Sequence, residues 1–170
     1  MATTQDLLSR PAERLVLVGF RNLMAATELG DMACWEAVWQ HYIAVLGSSG
    51  ARRMVGELQY WARSLRRHAE RPLTYYPHCC RHLCHDECMA LSMVSAAQAG
   101  DETTGLLAAR YLTGTAAADR LCEVWQATLP FAQALNLQGQ AMFPVTAEVV
   151  ESIFAMQQAV RCGSRCRQLN

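Results

Sequence analysis

Three times this chain places a glycine directly before an Asp or Thr, residues that cap helices: Gly30–Asp31, Gly100–Asp101 and Gly114–Thr115. A glycine just past a helix end takes the left-handed turn that closes it. An Asp or Thr side chain then accepts from the free N–H groups of the next first turn. Each pair reads as one helix stopping and another starting. Between these marks the apolar residues recur at three- and four-residue spacing, the period of a helix buried on one face. The expected fold is therefore all-α: an irregular helical bundle of about six or seven helices, with no sheet.

Pro11 suits a first helical position, where its missing N–H would be unpaired anyway. The helix it opens runs to about Glu28, with Val16, Phe20, Leu23 and Met24 on one face and Thr27 continuing it. A second helix is expected from about Met32 to Leu46, carrying Trp35, Val38, Trp39, Tyr42, Ile43 and Leu46. Gly47 ends it, and Ser48, Ser49 and Gly50 form a turn. A third helix follows from about Ala51 to Glu70, with Met54, Leu58, Trp61 and Leu65 inward and its arginines outward. Trp35, Trp39, Tyr42 and Trp61 read as a core between these two helices. Arg71–Pro72 stops the third helix, because a residue before proline is pushed out of the α region.

After an irregular stretch, helices are expected from Cys84 to Ala99, Asp101 to about Thr113, Thr115 onward with a break or kink at Pro130, and from Thr146 with Val149, Ile153, Phe154 and Gln157 along one side. Thr4 to Leu8 reads as a short helical lead-in. The whole is one domain over 1–170. It divides into a three-helix unit at about 11–70, a Cys/His-rich loop at 72–84, C-terminal helices at about 85–161 and a frayed tail at 162–170.

A chain of 170 residues can bury enough apolar surface to fold without staples. No apolar run reaches the roughly 18 residues of a membrane span. The first ten residues lack the basic start and apolar run of a secretion signal. The protein reads as cytoplasmic, with its eight cysteines as thiols, metal ligands or redox pairs rather than a disulfide framework.

The densest chemistry lies in Pro77–His78–Cys79–Cys80–Arg81–His82–Leu83–Cys84–His85–Asp86–Glu87–Cys88, which holds four cysteines and three histidines. Cys84 and Cys88 are one helical turn apart, and His78, Cys79, Cys80, His82 and His85 surround them in sequence. A closed Cys3His or Cys2His2 zinc site can be drawn from this set. The plainer reading is packing, since free cysteine is among the most buried residue types. Redox chemistry at the vicinal pair Cys79–Cys80 is a third. Leu83, Cys84 and Glu87 also fit a capping box with its hydrophobic staple, with a thiol standing where Ser or Thr is usual. Asp86 and Glu87 then sit where the helix dipole favours negative charge. Cys162 and Cys166 in the tail are spaced to pair under oxidation. A cysteine nucleophile at Cys79 or Cys80, with His82 or His85 as base, is the weakest reading, because neighbours on one turn seldom align for attack.

Pro77, Cys79–Cys80 and Asp86–Glu87, with Glu28–Leu29–Gly30–Asp31 upstream, resemble a family of small all-helical bacterial proteins of unknown function. There a Pro-Cys-Cys loop precedes an acidic helix start. The resemblance covers roughly residues 12–115 and implies no activity. It implies Thr at the position of Cys84, which favours capping over metal ligation at that residue.

Formal charge is zero, and every fixed positive charge is Arg. Arg52, Arg53, Arg63, Arg66 and Arg67 crowd one helix. They form either a solvated face or a docking surface for an anion, with nucleic acid the less favoured form of it. No phosphate-binding loop, nucleophile elbow or H-E-x-x-H pair is present. The leading expectation is a non-enzymatic helical protein that scaffolds or regulates through protein contacts or self-association, its Cys/His loop structural and open to zinc. The alternatives are a metal or redox sensor built on Cys79–Cys88, and an anion or nucleic-acid binder built on the arginine helix.

Overall fold

The computed structural model describes residues 9–166, with side chains through residue 159. Among the described residues there are six helices and no strand: α1 (Pro11–Leu29), α2 (Met32–His68), α3 (His85–Ala99), α4 (Glu102–Thr113), α5 (Ala118–Leu137) and α6 (Ala147–Cys166). The glycine–cap punctuation holds at the α1–α2 and α3–α4 joints. Gly30 and Gly100 close their helices in the left-handed region. Asp31 and Asp101 accept from the N–H groups of Ala33 and Thr104.

Helix α1 buries Leu15, Val16, Phe20, Leu23 and Met24. Thr27 does not continue that face. It is exposed, and its hydroxyl bonds back to the Leu23 and Met24 carbonyls. Three polar residues of α1, Glu13, Arg21 and Asn22, are buried instead. At Gly19 the backbone of α1 comes close to α2. An added Cβ would collide with the Tyr42 hydroxyl and Leu58. The same hydroxyl donates to the Leu15 carbonyl at 2.9 Å.

The two helices expected between 32 and 70 meet at a kink at Gly47, which lies outside the helical region (φ 72°, ψ 171°), and are labelled together as α2. Ser48, Ser49 and Gly50 are helical, so the expected turn is absent. Gly50 serves packing: a Cβ there would press within 2.8 Å of Gln138 Oε1 at the end of α5. Trp61, fully buried, stacks on Phe131 of α5 at 5.2 Å and tilts against Phe20 of α1 at 6.1 Å. The aromatic core thus joins α1, α2 and α5. Trp35 and Trp39 are only half-buried at its edge.

Helix α3 is the hub. Met89 through Ala96 are buried without a break, as in a helix covered on every side. It packs against α1, α4, α5 and α6. Gly105 of α4 admits the Trp125 ring of α5 against its backbone. Thr115 does not cap α5 directly. Its hydroxyl accepts from the N–H of Ala117, and the helix starts at Ala118. Pro130 does not end α5, which continues to Leu137. Phe131, Ala132, Ala134 and Leu135 beyond the proline are all buried, and that packing offsets the lost backbone bond.

Among the described side chains of α6 the fully buried one is Val150, while Val149 is 47 % exposed. This helix extends through Cys166, beyond the predicted end near 161. The lead-in at Thr4–Leu8, the last four residues and the sulfur atoms of Cys162 and Cys166 lie outside what is described. No described helix is long and apolar enough to cross a membrane.

Candidate functional site

The first turn of α3 gathers more polar contacts than any other stretch considered in the sequence, and two adjacent carboxylates organise them. Asp86 and Glu87 are both fully buried. Glu87 takes both arms of Arg21 from α1, from Nε at 2.7 Å and from Nη2 at 3.0 Å. It also accepts the N–H of Tyr76 at 2.7 Å and of Cys84 at 2.9 Å. The last of these is the backbone half of the predicted capping box. Asp86 takes both Nη atoms of Arg71, at 2.7 and 2.6 Å. The N–H and hydroxyl of Thr74 add bonds at 2.7 and 2.9 Å. Bidentate arginine–carboxylate pairs of this kind are short and charge-assisted.

Arg21 then turns its remaining N–H groups on the loop. It donates to the carbonyls of Cys80 at 2.8 Å and His82 at 2.6 Å, with a longer contact to Pro77 at 3.4 Å. Arg71 does the same for Pro72 and Tyr111, both at 3.1 Å. Residues 71–84 have no regular structure, yet their backbone is held along its length by two guanidinium groups and two carboxylates. Burial alone would raise the Asp86 pKa. The Arg71, His85 and Thr74 hydrogen bonds and the Arg71 charge overcome this and hold it well below the usual carboxylate range. The bond to Asp86 in turn raises the Arg71 pKa.

The seven predicted ligands lie around this frame in different places. His78, Cys79 and Cys80 border a cavity against α1 and the first half of α2. His82 is exposed. Cys84 donates its S–H to the Thr74 carbonyl at 3.3 Å, and burial raises its pKa. Cys88 borders an apolar groove of about 450 Å³ with Leu83, Leu91, Met142 and Ile153. Burial pushes its thiol up to about 12. His85 Nδ1 lies 3.1 Å from Asp86, the orientation a metal-binding imidazole often has, but its ring packs on Phe154 at 5.8 Å and its Nε2 is buried with no hydrogen-bond partner. Among the described residues no group of three or more His, Cys, Asp or Glu side chains is placed to hold a metal ion. Closeness in sequence put these donors together, and the start of α3 spreads them around its axis.

Arg52, Arg53, Arg63, Arg66 and Arg67 are all exposed on the second half of α2. Arg63 and Arg67 border a small cleft of about 250 Å³ with Tyr60, His68 and Glu123. His68 is buried and lies 3.0 Å from Glu123.

Sequence reasoning passed over Arg21 and read Arg71 as the residue that ends a helix before Pro72. The available signal was position. Arg21 stands four residues after Leu17 and three before Met24, on the apolar face of α1, where a charge needs a buried partner. Comparison with family models, with curated proteins and with solved structures found no match. The resemblance to small bacterial helical proteins therefore rests on the residues that carry it.

Proposed function

We propose that this chain is a non-enzymatic helical protein, working in the cytoplasm, that acts through contacts made by the loop Pro77–Leu83. One observation carries the reading: Arg21 ties down the loop's carbonyls while the side chains of His78, Cys79, Arg81 and His82 stay exposed. A loop fixed from beneath loses little conformational entropy when a partner docks on its outer side. The arginine–carboxylate frame supplies the rigidity for which the sequence suggested zinc.

The test is capture of partners from lysate by the wild-type chain and by a variant carrying His78→Ala, Arg81→Ala and His82→Ala. A partner held by the wild type, lost by this variant and kept by Arg52→Gln/Arg53→Gln supports the reading. A partner set indifferent to the loop contradicts it. Thiol sensing stands second. Cys79 is exposed and Cys80 half-buried, while Cys84 and Cys88 are committed to packing. A reversible Cys79–Cys80 oxidation that changes partner capture would favour it.

A further inference from the structure

The cavity bordered by His78, Cys79 and Cys80 has a composition unlike the cleft beside Arg63 and the groove beside Cys88. It encloses about 580 Å³, within the range of small-molecule sites. Its walls carry Arg14 and Arg21 from α1, His41 from α2, and His78 and Arg81 from the loop, with no Asp or Glu among them. Arg21 is neutralised by Glu87. Arg14 and Arg81 have no ion-pair partner among the described residues. His41 Nε2 is buried and has no hydrogen-bond partner. A buried, unsatisfied ring nitrogen is costly, and in a native site it asks for an explanation.

We propose that this cavity binds a small organic anion, one carboxylate or phosphate group of which pairs with Arg14 and Arg81. Two unpaired guanidinium groups present the forked donors that oxyanions match. The Arg14 charge reaches His41: burial first, and that charge second, lower the imidazole pKa. An anion paired with Arg14 would offset that charge. The volume leaves room for an organic body beside the charged group, and Leu17, Val18 and Ala37 supply apolar wall for it. The site is separate from the arginine face of α2 but shares His78 and Arg81 with the docking loop, and Arg14, which lies outside that loop, distinguishes the two.

The test uses the full chain with inorganic phosphate, glycerol phosphate and citrate, followed by calorimetry and by the rate at which iodoacetamide alkylates Cys79. At least one organic probe should bind once per chain and slow the alkylation. Arg14→Gln and Arg81→Gln should each weaken that binding by about tenfold or more, as loss of a charge-assisted bond requires. Both side chains are exposed, so both variants should keep the wild-type circular dichroism. Arg52→Gln/Arg53→Gln should bind as the wild type does. The proposal is overturned if no probe binds up to about 10 mM, where affinity is weaker than a specific site needs. It is also overturned if binding survives both single substitutions, or if bare phosphate binds as tightly as the organic probes. Glycerol phosphate against citrate identifies the headgroup.

Discussion

Replacing Glu87 by Gln should cost the fold about 3–5 kcal/mol, the range for a buried ion pair that loses one partner. The substitution keeps the size of the side chain and changes its chemistry. The carboxylate accepts four bonds, two from Arg21 and one each from the N–H groups of Tyr76 and Cys84. An amide offers one oxygen, and sets its NH2 group against donors that already point inward. Arg21, only 3 % exposed, is left charged without its counter-ion, and water can reach it only if the loop opens. That Arg21 term dominates, because Tyr76 is itself exposed and its N–H can turn to solvent at a cost of about 1 kcal/mol. Urea unfolding followed by helical circular dichroism measures the loss as a shift in midpoint at constant slope. The double variant Arg21→Met/Glu87→Met should recover little of it: the unpaired charge is gone, but the Cys80 and His82 carbonyls and the Tyr76 and Cys84 N–H groups lose their partners. A loss under about 1 kcal/mol for Glu87→Gln, or a double variant as stable as the wild type, would refute the idea that this pair is buried and bonded as described.

Three other outcomes follow from the same geometry. Asp86 has a folded pKa below its unfolded value of about 3.9, so its stabilising contribution is fully present above that value. It should be lost as pH falls further, and Asp86→Asn should flatten the acid limb of a stability–pH curve. Gly105→Ala should destabilise by about 1–3 kcal/mol in thermal or urea unfolding, because its Cβ would enter the Trp125 ring. Gly56→Ala, on the same chain with nothing within 4 Å, should be neutral or stabilise by about 0.4–1 kcal/mol. In timed alkylation read by peptide mass, exposed Cys79 and Cys122 should react first, and Cys88, with its thiol pushed up to about 12, should be the slowest of the six cysteines whose side chains are described.

Local signals in the sequence led to most of the fold. Gly30–Asp31 and Gly100–Asp101 mark real helix joints because capping is settled by neighbours in the chain. Gly50 and Pro130 misled for the opposite reason. Their roles depend on Gln138 and on the buried Phe131–Leu135 turn, which only the packed chain brings to bear. The site was less legible still. Arg21 and Glu87 are 66 positions apart, and nothing short of the fold pairs them. The thiols drew attention because they are adjacent in sequence, yet a helix start sends Cys84 toward Thr74 and Cys88 toward the groove beside α6. The carboxylates between them were read as charges suited to a helix dipole, and Glu87 as half of a capping box. That reading was correct in sign but too weak, because the same two side chains anchor the whole loop.

The account turns on the claim that hydrogen bonds from Arg21, Asp86 and Glu87 hold the loop. The most direct measurement is hydrogen exchange at the Tyr76 and Cys84 amides, in the wild-type chain before and after exhaustive treatment with a zinc chelator. The account predicts slow exchange at both amides, unchanged by the chelator. Fast exchange in the untreated chain, or protection that collapses when metal is removed, would contradict it.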